Sequence, residues 1–177
     1  MPAADIAAAL QRARSVYARR PRAALHDDTT ATARWTGGTR IETLHPQGHS
    51  VASDMPAEFG GRGNAVSPGW LFRAGLGACA ATCIAMVAAE QGLALHLLEV
   101  ETGSCSDARG LLGMPDEQGV AVPAGSRELR VQVRLAAAGA SAAQLEAVAG
   151  EGLRRSPVYA ALAATVPITV RVSVVAA

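Results

Sequence analysis

The sequence predicts an α+β domain whose strands pair mainly antiparallel. Three observations carry that expectation. Stretches of alternating polar and apolar residues cluster at 30–53, 93–102, 128–135 and 168–174, the period of half-buried strands. A single long apolar helix, opening at Ser67-Pro68, interrupts them. The order of elements is helix, meander, long helix, two strands, helix pair and strand. It lacks the regular β–α alternation of a doubly wound parallel sheet. The chain has 177 residues, of which 50% are hydrophobic and 18% charged. That is enough to bury a core without disulfides or metal and far from the composition of a disordered chain. With 3% aromatic residues, the core has to be aliphatic.

Residues 2–22 read as an amphipathic helix, with Ile6, Leu10, Ala13 and Tyr17 at helical spacing. Arg12, Arg14, Arg19, Arg20 and Arg22 make its second half basic. Such a segment is compatible with an organelle transit peptide, but few serines accompany it and Pro21 stops it like an ordinary helix. A packing helix with a solvated basic face is the expectation, and residues 1–27 are assigned to an appendage. From Thr30 to Trp35 the residues alternate. Gly37-Gly38 forms a turn, Arg40–Leu44 a second strand, His45–Gly48 another turn and His49–Ser53 a third strand. Residues 54–66 read as an ordered loop; the glycines at 60, 61 and 63 have no lysine and no strand–loop–helix order to make them a phosphate loop.

Ser67-Pro68 supplies an N-cap with proline in the first turn, and Gly92 a stop. Apolar side chains surround this helix. A helix of that kind is either central to a core or in a membrane. The sixteen residues between Arg73 and Glu90 fall short of the roughly 20 that a bilayer requires, so a buried central helix is expected. A strand follows at 93–102, then a long Gly/Pro loop at 103–126 and a strand at 128–135 with Leu129, Val131, Val133 and Leu135 on one face. Ser141 to Gln144 opens a helix to about Arg154. Ser156-Pro157 opens a short one to about Ala164, and 168–174 alternates as a last strand.

Composition also excludes functions. All 16 basic residues are arginine, so no lysine is present to form an imine. A formal net charge of +1 gives no global field for nucleic acid. The four histidines are scattered without metal-ligand spacing, so no metal or cofactor is implied. The cysteines, Cys79, Cys83 and Cys105, are odd in number and follow no secretory signal. A reducing, cytoplasmic setting is the expectation.

The stretch SDMPAEFGGRGNAVSPGWLFRAGLGAC at 53–79, the Asp107-Ala-Arg-Gly110 segment and the Ser156-Pro157-Val158-Tyr159 helix start occur in an order that resembles the OsmC/Ohr family, the osmotically inducible and organic hydroperoxide resistance proteins. The resemblance covers residues 28–177. It implies an OsmC-like fold, with antiparallel sheets around a long buried central helix, an intertwined homodimer, and active sites at the subunit interface. It also implies a cysteine that attacks the peroxide bond, a second cysteine that resolves the sulfenic acid, and an Arg and a Glu that set up the thiolate. Cys79 takes the first position. Ser156 stands where the second cysteine would be, Gly69 where the Glu would be, and Arg40 is the nearest match to the Arg, displaced by one residue. The implied function is therefore a thiol-dependent hydroperoxide reductase of one-Cys type, with Cys79 and Arg40 as catalytic residues and an external thiol as reductant. The alternative is a non-catalytic module that keeps the fold to bind a small apolar ligand or partner in the cleft.

Cys79 lies three turns into its helix, beyond the reach of the helix dipole, so Arg40 or Arg155 has to supply a cation, and Ser156 can donate a hydrogen bond. Cys83 lies one turn on. The β-carbons of residues four apart on a helix are about 5–6 Å apart, whereas a disulfide requires about 3.5–4.5 Å. Cys83 therefore reads as a structural thiol.

Overall fold

The computed structural model describes residues 2–164. The expected last strand at 168–174 lies outside them. Helix α1 (Ala3–Arg19) is followed by a 3-10 turn at Pro21–Ala24. Strands β1 (Thr32–Gly37), β2 (Arg40–Leu44) and β3 (Ser50–Ser53) form an antiparallel meander in that order. Gly37 and Gly38 both have positive φ, which is why glycine occupies the first turn. Among the described residues none of the helices packs extensively on either face of this sheet, and Trp35 on β1 is 69% exposed.

Helix α2 (Pro68–Glu90) is capped by Ser67, whose hydroxyl accepts from the Trp70 amide, with Pro68 in the first turn. At 23 residues it is long and apolar enough, by length and composition, to cross a bilayer. Its partners here are β4 (Leu95–Cys105), α4 (Ala142–Arg154), α1 and α5 (Pro157–Ala163). Ile84, Val87 and Ala88 of α2 bury against Val148 of α4, with Leu98 and Val100 of β4 and Val133 and Leu135 of β5 (Glu128–Ala137) around them. Ile84 and Val148 are fully buried, each worth about 2 kcal/mol relative to exposure. Thr102 ties β4 to α2 by donating its hydroxyl to the Arg73 carbonyl at 2.8 Å.

Strand β4 is longer than its local pattern predicts. It continues through Gly103, Ser104 and Cys105, because β5 pairs with it residue for residue from Leu97 opposite Ala136 to Cys105 opposite Glu128. The segment expected as a long loop is also partly built. It contains the one-turn helix α3 (Ala108–Leu111) and a bridge between Pro115 and Ala121. Its staple is Arg109, which donates to Asp107 at 2.8 Å and to Glu117 at 2.9 Å. Gly110 is required there: a β-carbon would lie 2.3 Å from the Pro123 carbonyl oxygen.

Hydrogen bonds from Arg109 hold the Asp107 carboxyl down from the ordinary 3.8 to about 2. A depressed carboxyl stabilises the fold above its unfolded value and loses that contribution as pH falls through the folded one. Protection of the amides over residues 106–127, relative to the intrinsic exchange rate at each pH, is therefore expected to hold at pH 5 and to fall between about pH 4 and 2. In Asp107→Asn that protection should be low at both ends of the range.

Candidate active site

The turn between α4 and α5 lies against the middle of α2. Ser156, the N-cap of α5, is completely buried. Its hydroxyl donates to Cys79 Sγ at 3.1 Å and accepts from the Tyr159 amide at 3.4 Å. One side chain thus caps a helix and meets the thiol. Cys83, one turn along α2, faces the same turn, with its Sγ 3.6 Å from the Arg155 carbonyl oxygen. Burial pushes the Cys83 thiol up, and the neighbouring Cys79 sulfur pushes it further. Cys83 is therefore a protonated, weakly nucleophilic thiol at neutral pH. Cys105 is exposed at the end of β4.

Close approach of the helices places these groups. Gly152 of α4 is buried over α2, and a β-carbon there would sit 2.5 Å from Ile84 Cγ1 and 2.6 Å from Ile84 Cα. Beyond Ser156, an apolar cavity of about 180 Å³ is lined by Leu76, Leu129, Val131, Tyr159, Leu162 and Ala163. Leu76 lies about one helical turn before Cys79 on α2 and Tyr159 three residues after Ser156, but neither Cys79 nor Ser156 lines the cavity.

The arginines are placed differently from one another. Arg155 forms a two-point bond with Glu90, Nη1 to Oε2 at 2.7 Å and Nη2 to Oε1 at 3.0 Å. Its guanidinium is thereby held by the end of α2, while its carbonyl touches Cys83. Arg14 of α1 reaches the same carboxylate, at 2.7 Å. Hydrogen bonding from Arg155, aided by Arg14, holds the Glu90 carboxyl below the usual range. Sequence reading missed Glu90. The signal was there: a carboxylate on the last residue of an apolar helix faces the negative end of the helix dipole and calls for a cationic partner.

Arg40 lies elsewhere. It donates to Asn64 Oδ1 at 2.9 Å and lines a separate cavity of about 320 Å³ with Gly37, Gly38, Asp54, Gly61 and Arg62. Asp54 is buried there and satisfied by the Thr39 hydroxyl at 2.6 Å and the amides of Met55 and Arg62. Among the described residues no hydrogen bond or ion pair joins Arg40 to Cys79. Gly69 is exposed in the first turn of α2 and brings no carboxylate. Within one chain, then, the structure joins Cys79 to Ser156 and Cys83 and leaves Arg40 apart.

The comparisons agree with this architecture. The family described as OsmC-like protein matches residues 61–171. Among solved structures, an OsmC like protein from Mycoplasma pneumoniae superposes with a TM-score of 0.65 at 14% identity, covering 80% of this chain and 91% of that one. An organic hydroperoxide resistance protein OsmC from Legionella pneumophila gives 0.56 at 24% identity, over 78% and 90%. An organic hydroperoxide resistance protein from Elizabethkingia anophelis, with thiocyanate bound, gives 0.54 at 17%, over 80% and 93%. No curated protein matches the sequence.

Proposed function

We propose, from the premise that this chain belongs to the OsmC-like protein family, that it reduces organic hydroperoxides through Cys79 and is regenerated by an external thiol. The observation that carries the reading is the Ser156 hydroxyl aimed at Cys79 Sγ from 77 residues away. A buried hydroxyl spends its one proton on that sulfur. The Cys79 thiolate attacks the distal peroxide oxygen, the O–O bond breaks, and the alkoxide leaves and takes a proton as the alcohol. Sulfur is oxidised to sulfenic acid and the peroxide is reduced. A donor thiol then condenses with the sulfenic acid to a mixed disulfide, releasing water. A second donor thiol attacks that disulfide and returns Cys79. The cavity by Leu76 and Tyr159 suits the alkyl part of such a substrate.

The reading includes a homodimer in a reducing compartment. The support is the sheet β1–β3, which no helix among the described residues covers, with Trp35 exposed, and the separation of Arg40 from Cys79 among the described residues of one chain. In the dimer the second subunit covers the sheet, and Arg40 serves the thiol across the interface. A second reading, a non-catalytic module binding an apolar ligand, draws on the same separation and on Gly69.

Consumption of cumene hydroperoxide with dithiothreitol as donor tests the two. The proposed activity requires turnover by the native protein and a fall to the uncatalysed rate in Cys79→Ser. Equal consumption by both, or none by either, favours the binding module.

A further inference from the structure

Glu90 is 65 residues from Arg155 and 76 from Arg14 in sequence, yet all three meet at the C-terminal end of α2. The Glu90 side chain is 13% exposed and that of Arg155 26%. The bond between them is bidentate, a geometry that fixes orientation as well as distance, and it is shielded from the solvent that makes surface pairs weak. A lone carboxylate at this helix end would be repelled by the unpaired carbonyls, so two guanidiniums converge on it. What they hold matters more than their charge. Arg155 is the C-cap of α4, its carbonyl touches Cys83, and the next residue is Ser156.

We propose that Glu90 is a positioning residue for the thiol site. Its two-point bond to Arg155 seats the α4–α5 turn so that the Ser156 hydroxyl meets Cys79, and its bond to Arg14 ties the N-terminal helix to the same turn. The consequence for peroxide reduction rests on the reading of Cys79 as the reacting thiol, while the seating itself does not. The basic face of α1 thereby gains a role: one of its arginines closes the clamp on Glu90.

The test uses Ser156→Cys in the full-length protein. Diamide takes two electrons and two protons from neighbouring thiols, and mass spectrometry follows the rate of the 79–156 disulfide. Adding Glu90→Gln is expected to slow that cross-link about five- to tenfold, the scale of one lost hydrogen-bonded constraint. Arg155→Gln removes the other partner and should slow it equally, which guards against a folding defect peculiar to one variant. Arg14→Ala, which leaves the Arg155 bond in place, should slow it by about two- to threefold. Alkylation of Cys105 should not change in any of them. In parallel, Glu90→Gln should slow peroxide oxidation of Cys79 when residue 156 is serine and leave it unchanged when residue 156 is alanine, a dependence that general destabilisation does not produce. Cross-linking at the same rate with and without Glu90→Gln overturns the proposal, as does absence of the cross-link in Ser156→Cys alone. Slowed cross-linking with a Cys79 inert to peroxide in every variant supports the positioning role and ends the peroxidatic reading.

Discussion

Ser156→Cys is expected to turn oxidation of Cys79 from a dead end into a recyclable step. In the native chain a sulfenic acid on Cys79 meets a hydroxyl, which cannot form a disulfide, and Cys83 on the same helix is held too far away for an unstrained bridge. Without donor thiol the sulfenic acid advances to sulfinic acid, which is irreversible. Ser156 Oγ lies 3.1 Å from Cys79 Sγ, so a sulfur in its place needs only about an ångström of adjustment to reach bonding distance. The variant should form one intramolecular 79–156 disulfide per peroxide consumed and recover full activity when dithiothreitol is added after the peroxide, while the native protein, challenged in the same way, loses activity irreversibly in step with sulfinic acid at Cys79. The cost is a weaker N-cap for α5, about 1 kcal/mol, because Ser156 also accepts from the Tyr159 amide. Intact-mass analysis after several equivalents of peroxide distinguishes the two fates. Sulfinic acid at Cys79 in the variant would show that the positions are not apposed.

Gly152→Ala is expected to destabilise the contact between α4 and α2 strongly. Helix propensity alone favours alanine by about 1 kcal/mol. Against that, the new β-carbon would lie within 2.8 Å of the Ile84 backbone nitrogen and closer still to its Cα, and main chain in a buried helix cannot rotate away. Forcing α4 off α2 costs about 1–3 kcal/mol of overpacking and shifts the α4–α5 turn that carries Ser156. The melting temperature should fall by roughly 4–10 °C for a chain of this size, with Cys79 reactivity falling too. Gly150, on the exposed side of the same helix, has nothing within 4 Å of a β-carbon. Gly150→Ala should raise the melting temperature by a few degrees. The same result from both substitutions would contradict the close contact.

Much of the fold was legible because its signals are local. Ser67, Ser141 and Ser156 were each read as N-caps, and each hydroxyl accepts from the amide three residues on. The meander was read from alternation around the Gly37-Gly38 turn and is present within two residues at either end of each strand. Extension of β4 to Cys105 was not legible. Gly103 and Ser104 are poor strand formers, and the ladder with β5 holds them there. The site was legible only in part. The apposition of Cys79 and position 156 follows from the family resemblance and not from spacing, since helix packing brings them together across 77 residues. Arg155, next to Ser156 in sequence, offers a cation for the thiol, but its guanidinium is taken by Glu90, a pairing that no local pattern announces.

The most direct test of the central claim is which sulfur accepts oxygen. The native protein would be given one equivalent of tert-butyl hydroperoxide with dimedone present, and the adduct located by peptide mass spectrometry. The account predicts a single sulfenic-acid adduct at Cys79, with Cys83 unlabelled because burial keeps its thiol protonated. An adduct confined to the exposed Cys105, or a Cys79 that stays reduced, would contradict it.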